Sequence, residues 1–303
     1  MRIAASLLFL SASSVFAQPS PSANWATTIA NQYQMFPNVT YLTAGGQEVK
    51  MDIYRRRGET ANAQLPPQPT VVFMHGGFWA AGAKETSIFA LMPWMEMGFN
   101  VVNVEYRLAR YALAPAAVED CLCALRFLNA QKATYNIDPA RIIVTGESAG
   151  GHLALSLGMI PESADLGREC AGNAAIPTPA AVVNFYGISD VADVIDGPHR
   201  ANAAMQWFGG MTLANRTEIA KRVSPMSYVR AGLPPILTIH GDADMTVPYQ
   251  QAVTLHAALT KAGTQNQLLT IPGGKHGGFT NDERAKIFAT VREFLAKNNL
   301  LPK

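Results

Sequence analysis

The apolar run Ile142-Ile143-Val144-Thr145 leads straight into Gly146-Glu147-Ser148-Ala149-Gly150-Gly151, and His152-Leu153-Ala154-Leu155 follows. A strand that ends in G-x-S-x-G and opens into a helix must turn sharply, and that turn lifts its serine, here Ser148, to the tip. Gly146 and Gly150 remove side chains where strand and helix approach closely. The rest of the chain repeats the strand-then-helix pattern. Strands are expected near residues 70–74, 100–105, 141–145, 180–186, 235–240 and 267–271, with apolar-periodic helices at 85–97, 116–130, 149–159, 250–261 and 282–297. Such alternation predicts an α/β protein, with a mainly parallel sheet covered by helices on both faces and functional loops at the strand C-terminal ends. Ahead of it, Val39 to Ala44 and Glu48 to Tyr54 flank Gly45-Gly46 as a hairpin, and Asn281 is expected to cap the last helix. Residues 190–230 break the alternation and read as a small cap, with Trp207-Phe208-Gly209-Gly210-Met211 as its apolar centre.

A nucleophilic serine needs a base, an acid to orient that base, and donors for the oxyanion. In this setting the partners follow in the order Ser, Asp or Glu, His. Of six histidines, only His276 sits in a glycine-flanked loop just after a late strand, in Pro272-Gly273-Gly274-Lys275-His276-Gly277-Gly278. His152 lies one helical turn past Ser148 and points into the packing beneath it. The acid comes from His240-Gly241-Asp242-Ala243-Asp244, where Asp244 stands at the loop tip and Asp242 is placed to bond the loop's own backbone. Asp190, Asp193 and Asp196 are the reserve acids. His75-Gly76-Gly77-Phe78-Trp79 follows the buried strand Thr70 to Met74. Its main-chain N–H groups, those of Gly77 and Phe78 or alternatively Gly76, join that of Ala149 as the expected oxyanion hole.

Those three stretches, with Glu105-Tyr106-Arg107-Leu108, resemble the α/β-hydrolase esterases related to hormone-sensitive lipase. The nearest resemblance is to the bacterial carboxylesterase and feruloyl-esterase branch, whose neighbours include kynurenine formamidases. It runs from about residue 39 to the C-terminus, and it implies an α/β-hydrolase fold and a serine esterase that needs no cofactor. Phe78 stands where many relatives have glycine, and Arg110-Tyr111 interrupts a stretch that relatives continue as Ala-Pro-Glu. The expected partner is a small-molecule ester with a short acyl or aryl group. Trp79, Trp207, Phe208 and Phe279 are the candidate pocket residues. Amide hydrolases of the arylformamidase or small-peptidase type share this acyl chemistry and stand as the alternative. A catalytically silent binding protein on the same fold is the second alternative.

Met1-Arg2, the apolar residues Ile3 to Leu10 and Val15-Phe16-Ala17 read as an export signal cleaved after Ala17, implying a secreted or periplasmic protein. Residues 18–38 are expected to be a tether without a fold of its own, leading into one domain over 39–303. No later stretch is long and apolar enough to span a bilayer. A net charge of +2 argues against a nucleic-acid partner. Cys121 and Cys123, two apart on one helix, face different ways, so an oxidising compartment would let one of them bond Cys170. No Cys/His spacing suggests zinc.

Overall fold

The structure is a computed structural model that describes residues 20–58, 65–166 and 170–302. The export-signal reading of residues 1–17 lies outside them. One eight-stranded sheet is formed by β1 (Tyr33–Ala44), β2 (Gln47–Arg56), β3 (Gln68–Met74), β4 (Asn100–Val104), β5 (Ile137–Glu147), β6 (Ala181–Phe185), β7 (Ile236–Gly241) and β8 (Asn266–Ile271), in the order β1-β2-β4-β3-β5-β6-β7-β8. Both pairings of β2, with β1 and with β4, are antiparallel. All the others are parallel. The helices are α1 (Pro21–Asn31), α2 (Ile88–Glu96), α3 (Ala116–Ala130), α4 (Lys132–Tyr135), α5 (Ala149–Met159), α6 (Val191–Ile195), α7 (Asn202–Met205), α8 (Leu213–Val223), α9 (Gln250–Lys261) and α10 (Asn281–Lys297).

Consecutive strand residues point to opposite faces, so a strand buried on both is apolar wherever its side chains lack polar partners. β3 is buried along its whole length: Val71 to Met74 are apolar, and the Gln68 and Thr70 side chains each donate to a backbone carbonyl. Val72, Val102, Val144 and Val182 join one core with α3, α5 and α9. Their neighbours Val71, Val101, Ile143 and Val183 join a second core with α2 and α10. This is the α/β-hydrolase architecture expected from the alternation of elements. Among the described residues no helix is long and apolar enough to cross a membrane.

The tether expected over 18–38 is corrected by α1 and by the start of β1 at Tyr33. Ile29 and Tyr33 are buried in the second core, and the Tyr33 hydroxyl lies 2.7 Å from the Met95 carbonyl and 2.8 Å from that of Phe99. A Pro/Ser-rich entry concealed two apolar anchors. The expected cap at Asn281 also shifts by one residue. Thr280 accepts from the Glu283 N–H while the Glu283 carboxylate accepts from the Thr280 N–H, a reciprocal capping box. Residues 190–230 fold into α6, α7, α8 and two short 3₁₀ turns. A disulfide joins Cys123 on α3 to Cys170, and Cys121 remains a buried free thiol.

Candidate active site

Sheet register assembles the site. Met74 pairs with Gly146, so the turns after β3 and β5 leave the sheet side by side. Glu147 pairs with Phe185, and Gly241 with Ile271, which lines up the loops after β6, β7 and β8 along the same edge.

At the β5–α5 turn Ser148 adopts φ 57° and ψ −117°, a backbone that side-chain-bearing residues rarely take. Close packing imposes it. A Cβ on Gly150 would run into the Met74 and His75 carbonyl oxygens, and one on Gly146 would lie 2.5 Å from both the Met74 and Gly150 oxygens. The Ser148 N–H donates to the Phe185 carbonyl at 3.0 Å, and its own carbonyl accepts from His152 N–H at 3.0 Å. The side chain is aimed at the loop after β8: Ser148 Oγ lies 2.8 Å from His276 Nε2. On the other side of the ring, His276 Nδ1 lies 2.7 Å from Asp244 Oδ2. A carboxylate only accepts, so Nδ1 carries the proton and Nε2 is left to accept from the serine hydroxyl.

Asp244 is buried and receives every donor near it. Its Oδ1 accepts from the Thr246 N–H at 2.8 Å and the Val247 N–H at 3.0 Å. Its Oδ2 also lies 3.2 Å from His240 Nε2. Burial alone would raise the carboxyl's pKa, but the donors from His240, His276, Val247 and Thr246 together hold it well below the usual carboxylate range. Asp242 has the loop-bonding place expected of it: its Oδ1 accepts from Gly273 N–H at 2.6 Å, tying the acid loop to the histidine loop. The reserve acids are taken up by the cap. Asp190 caps α6, Asp193 faces His199 at 2.9 Å, and Asp196 pairs with Arg216 at 2.7 Å.

In the turn after β3, Gly76 makes the closest approach to the serine. A Cβ there would lie 3.1 Å from the Glu147 oxygen and 3.3 Å from Ser148 Cβ. Gly77 has φ 117°, and its carbonyl accepts from the N–H groups of Ala80 and Ala81 at 3.0 Å each. Phe78 and Trp79 follow at φ 50° and 59°. Ala149, fully buried, opens α5 beside this turn. His75 anchors the turn from behind, stacked on Tyr106 at 4.4 Å with its Nε2 3.1 Å from Glu105 Oε1. No cluster of metal-ligating side chains occurs among the described residues.

The expected pocket is corrected in three of its four members. Trp79, Trp207 and Phe208 have no exposed surface and form a solid aromatic cluster, Trp79 stacked on Trp207 and Phe208 edge-on to it, so none lines an opening. Burying three large rings against α5 stabilises the cap more than leaving them at a wet mouth. Phe279 alone is partly exposed, 5.9 Å from Tyr186, whose ring lies 4.8 Å from His276. Tyr186 itself, at φ 41°, escaped the sequence reading, although its place just past a parallel strand was a usable signal. The contact of His240 with Asp244 was missed as well, because a histidine ending an apolar strand reads as core.

The BD-FAE family model matches residues 51–259. Esterase LipQ of Mycobacterium tuberculosis is 29% identical over 72% of this chain and 51% of its own length. Carboxylesterase NlhH of the same species is 29% identical over 69% of this chain and 66% of its own. The chain thus spans about half to two thirds of the length of these curated relatives. Among solved structures, a truncated carbohydrate esterase from gut microbiota superposes with a TM-score of 0.72 at 28% identity, covering 87% of this chain and 97% of the other. The apo form of Thermogutta terrifontis esterase 2 gives 0.73 at 25% identity, covering 89% and 96%. With the family model spanning most of the sheet and every turn but one of the site, this chain belongs to the BD-FAE family, on the α/β-hydrolase fold.

Proposed function

We propose that this protein is an exported serine carboxylesterase acting on short-acyl or aryl esters. The observation that carries the reading is the unbroken hydrogen-bonded line from Asp244 through His276 to Ser148. Ser148 Oγ attacks the ester carbonyl as His276 Nε2 takes its proton, and Asp244 stabilises the resulting imidazolium. The carbonyl oxygen, now negative, sits against the main-chain N–H groups of Gly77, Phe78 and Ala149. His276 then passes the proton to the departing alkoxide, leaving Ser148 acylated. Water, deprotonated by the same imidazole, attacks the acyl-enzyme and restores the serine. Every step uses side chains and backbone of this chain, so the reading calls for no cofactor.

Esterases among the relatives and structural neighbours support ester over amide. The partly exposed Phe279, 5.9 Å from the Tyr186 ring that lies beside His276, supports a small acyl or aryl group. Export is supported by the signal-like residues 1–17 and by the Cys123–Cys170 bond, since disulfides persist in oxidising compartments.

Ser148→Ala should keep the fold and lower ester turnover by about 10³-fold or more. Wild-type turnover in that variant would end the mechanism. Acetyl, butyryl, feruloyl and dodecanoyl esters of one leaving group, with an aryl formamide beside them, test the substrate by kcat/KM. A dodecanoyl ester or the formamide coming first would replace the proposed class. For export, the mature N-terminus should be Gln18 in a secreted or periplasmic fraction.

A further inference from the structure

His152 has no exposed surface and lies on the first turn of α5, yet its ring reaches two other parts of the molecule. Its Nδ1 is 3.1 Å from the indole Nε1 of Trp79, at the end of the turn after β3. Its Nε2 is 2.7 Å from the carbonyl oxygen of Val223, at the end of cap helix α8. An indole N–H can only donate and a carbonyl can only accept. Those two partners therefore require a neutral imidazole with its proton on Nε2 and a bare Nδ1. Burial points the same way, holding the pKa down to about 4 against the raising effect of the Val223 carbonyl. The rings reinforce the bond: Trp79 meets His152 edge-on at 4.9 Å and is stacked on Trp207 at 4.4 Å.

Trp79 is the second of two consecutive non-glycine residues with positive φ. Such backbone is strained and persists only where its surroundings over-determine it. The Trp79 main chain is held by Ala109, whose N–H donates to its carbonyl at 2.8 Å, and its side chain is held by His152.

We propose that His152 is a positioning residue for the oxyanion turn. Its Nδ1 accepts the hydrogen bond of the Trp79 indole N–H while its Nε2–H donates to the Val223 carbonyl, and so it holds Gly77 and Phe78 in place over Ser148 from the cap. The inference rests on the reading of that turn as the oxyanion site. It makes the cap part of the catalytic apparatus through a hydrogen bond rather than through substrate contact.

Four variants test it: His152→Leu, His152→Gln, Trp79→Phe and the double variant His152→Leu with Trp79→Phe, each normalised by active-site titration so that only folded enzyme counts. His152→Leu and Trp79→Phe should each lower kcat by about 10- to 100-fold with KM for a small p-nitrophenyl ester within about 3-fold, since a displaced donor is lost mainly in the transition state. Affinity for a trifluoromethyl ketone, whose serine adduct carries the oxyanion, should fall in proportion to kcat. A merely structural role would leave that affinity and kcat per titrated site unchanged. The amide of His152→Gln offers one acceptor and one donor and should restore kcat to within about 3-fold of wild type. The double variant should lose no more than the worse single one. Wild-type kcat in His152→Leu, or multiplied losses in the double variant, would overturn the proposal. If His152→Leu does not fold, Trp79→Phe decides, and unchanged kcat there overturns it. Ester turnover surviving in Ser148→Ala would instead remove the reading on which it rests.

Discussion

Replacing Cys123 and Cys170 together with alanine opens a bond that joins residues 47 apart in sequence. In the chain-entropy description, closing a loop of that length removes about 4 kcal/mol of freedom from the unfolded state at 25 °C. A domain of this size unfolds with an entropy of roughly 0.6 kcal/mol/K, so the melting temperature should drop by about 7 °C. The native loop keeps other ties: Arg126 donates to the Cys170 carbonyl at 3.3 Å, and Asn129 to that of Ala175 at 2.9 Å. Activity per folded molecule should therefore stay at the wild-type level, because neither cysteine belongs to the Asp244–His276–Ser148 line. Cys121 cannot take over, since the double variant leaves it without a cysteine partner. Differential scanning calorimetry of the wild type, the double variant and wild type reduced by a phosphine measures the effect. Reduced and mutated proteins should share the shift, which separates the cross-link from the small loss of sulfur packing. A double variant melting within about 2 °C of wild type, where the wild type's Cys123–Cys170 peptide is intact by mass, would refute the entropic argument. A Cys121–Cys170 peptide would refute the pairing itself.

Asp244→Asn should lower turnover by about 10⁴-fold, as for the triad aspartate of the well-studied serine proteases, whereas Asp242→Asn should act mainly on loop stability. Steady-state kinetics of the two settle which carboxylate is catalytic, and the reverse ranking would exchange their roles. His152 is held neutral in the fold with a pKa of about 4 and titrates near 6.5 once unfolded. The unfolded chain thus binds the extra proton first, so this contribution is full above pH 6.5 and is lost as pH falls toward 4, by about 3 kcal/mol. Urea unfolding across that range should show His152→Gln less acid-sensitive than wild type by that amount, and parallel curves would contradict it. Trp207→Ala should cost about 3–5 kcal/mol through the cavity it leaves. Trp207→Phe should cost far less, because the indole Nε1 is buried without a hydrogen-bond partner among the described residues. Equal losses by thermal melting would argue against that packing.

Local rules carried the sequence reading a long way at the nucleophile turn. Gly146, Ser148 and Gly150 report a strand-to-helix turn because close backbone approach excludes side chains within a few residues of each other. The apolar run Val71 to Met74 in β3 reports a strand buried on both faces for an equally local reason. Chain order together with loop position pointed to Asp244 and His276, which the register of β7 and β8 brings to one edge. Partners far apart in sequence decided the rest. Trp79, His152, Trp207 and Val223 are separated by up to about 140 residues, and nothing near any one of them says that it will meet the others. An exposed pocket aromatic and a buried stacked one have the same sequence signature, so only the folded cap distinguished Phe279 from Trp207 and Phe208. Residues 21–31 fold because Ile29 and Tyr33 find the second core, a contact that their Pro/Ser-rich surroundings do not announce. Backbone geometry is dictated by neighbours along the chain, but burial is dictated by whatever the whole sheet brings within reach, and that was settled only in three dimensions.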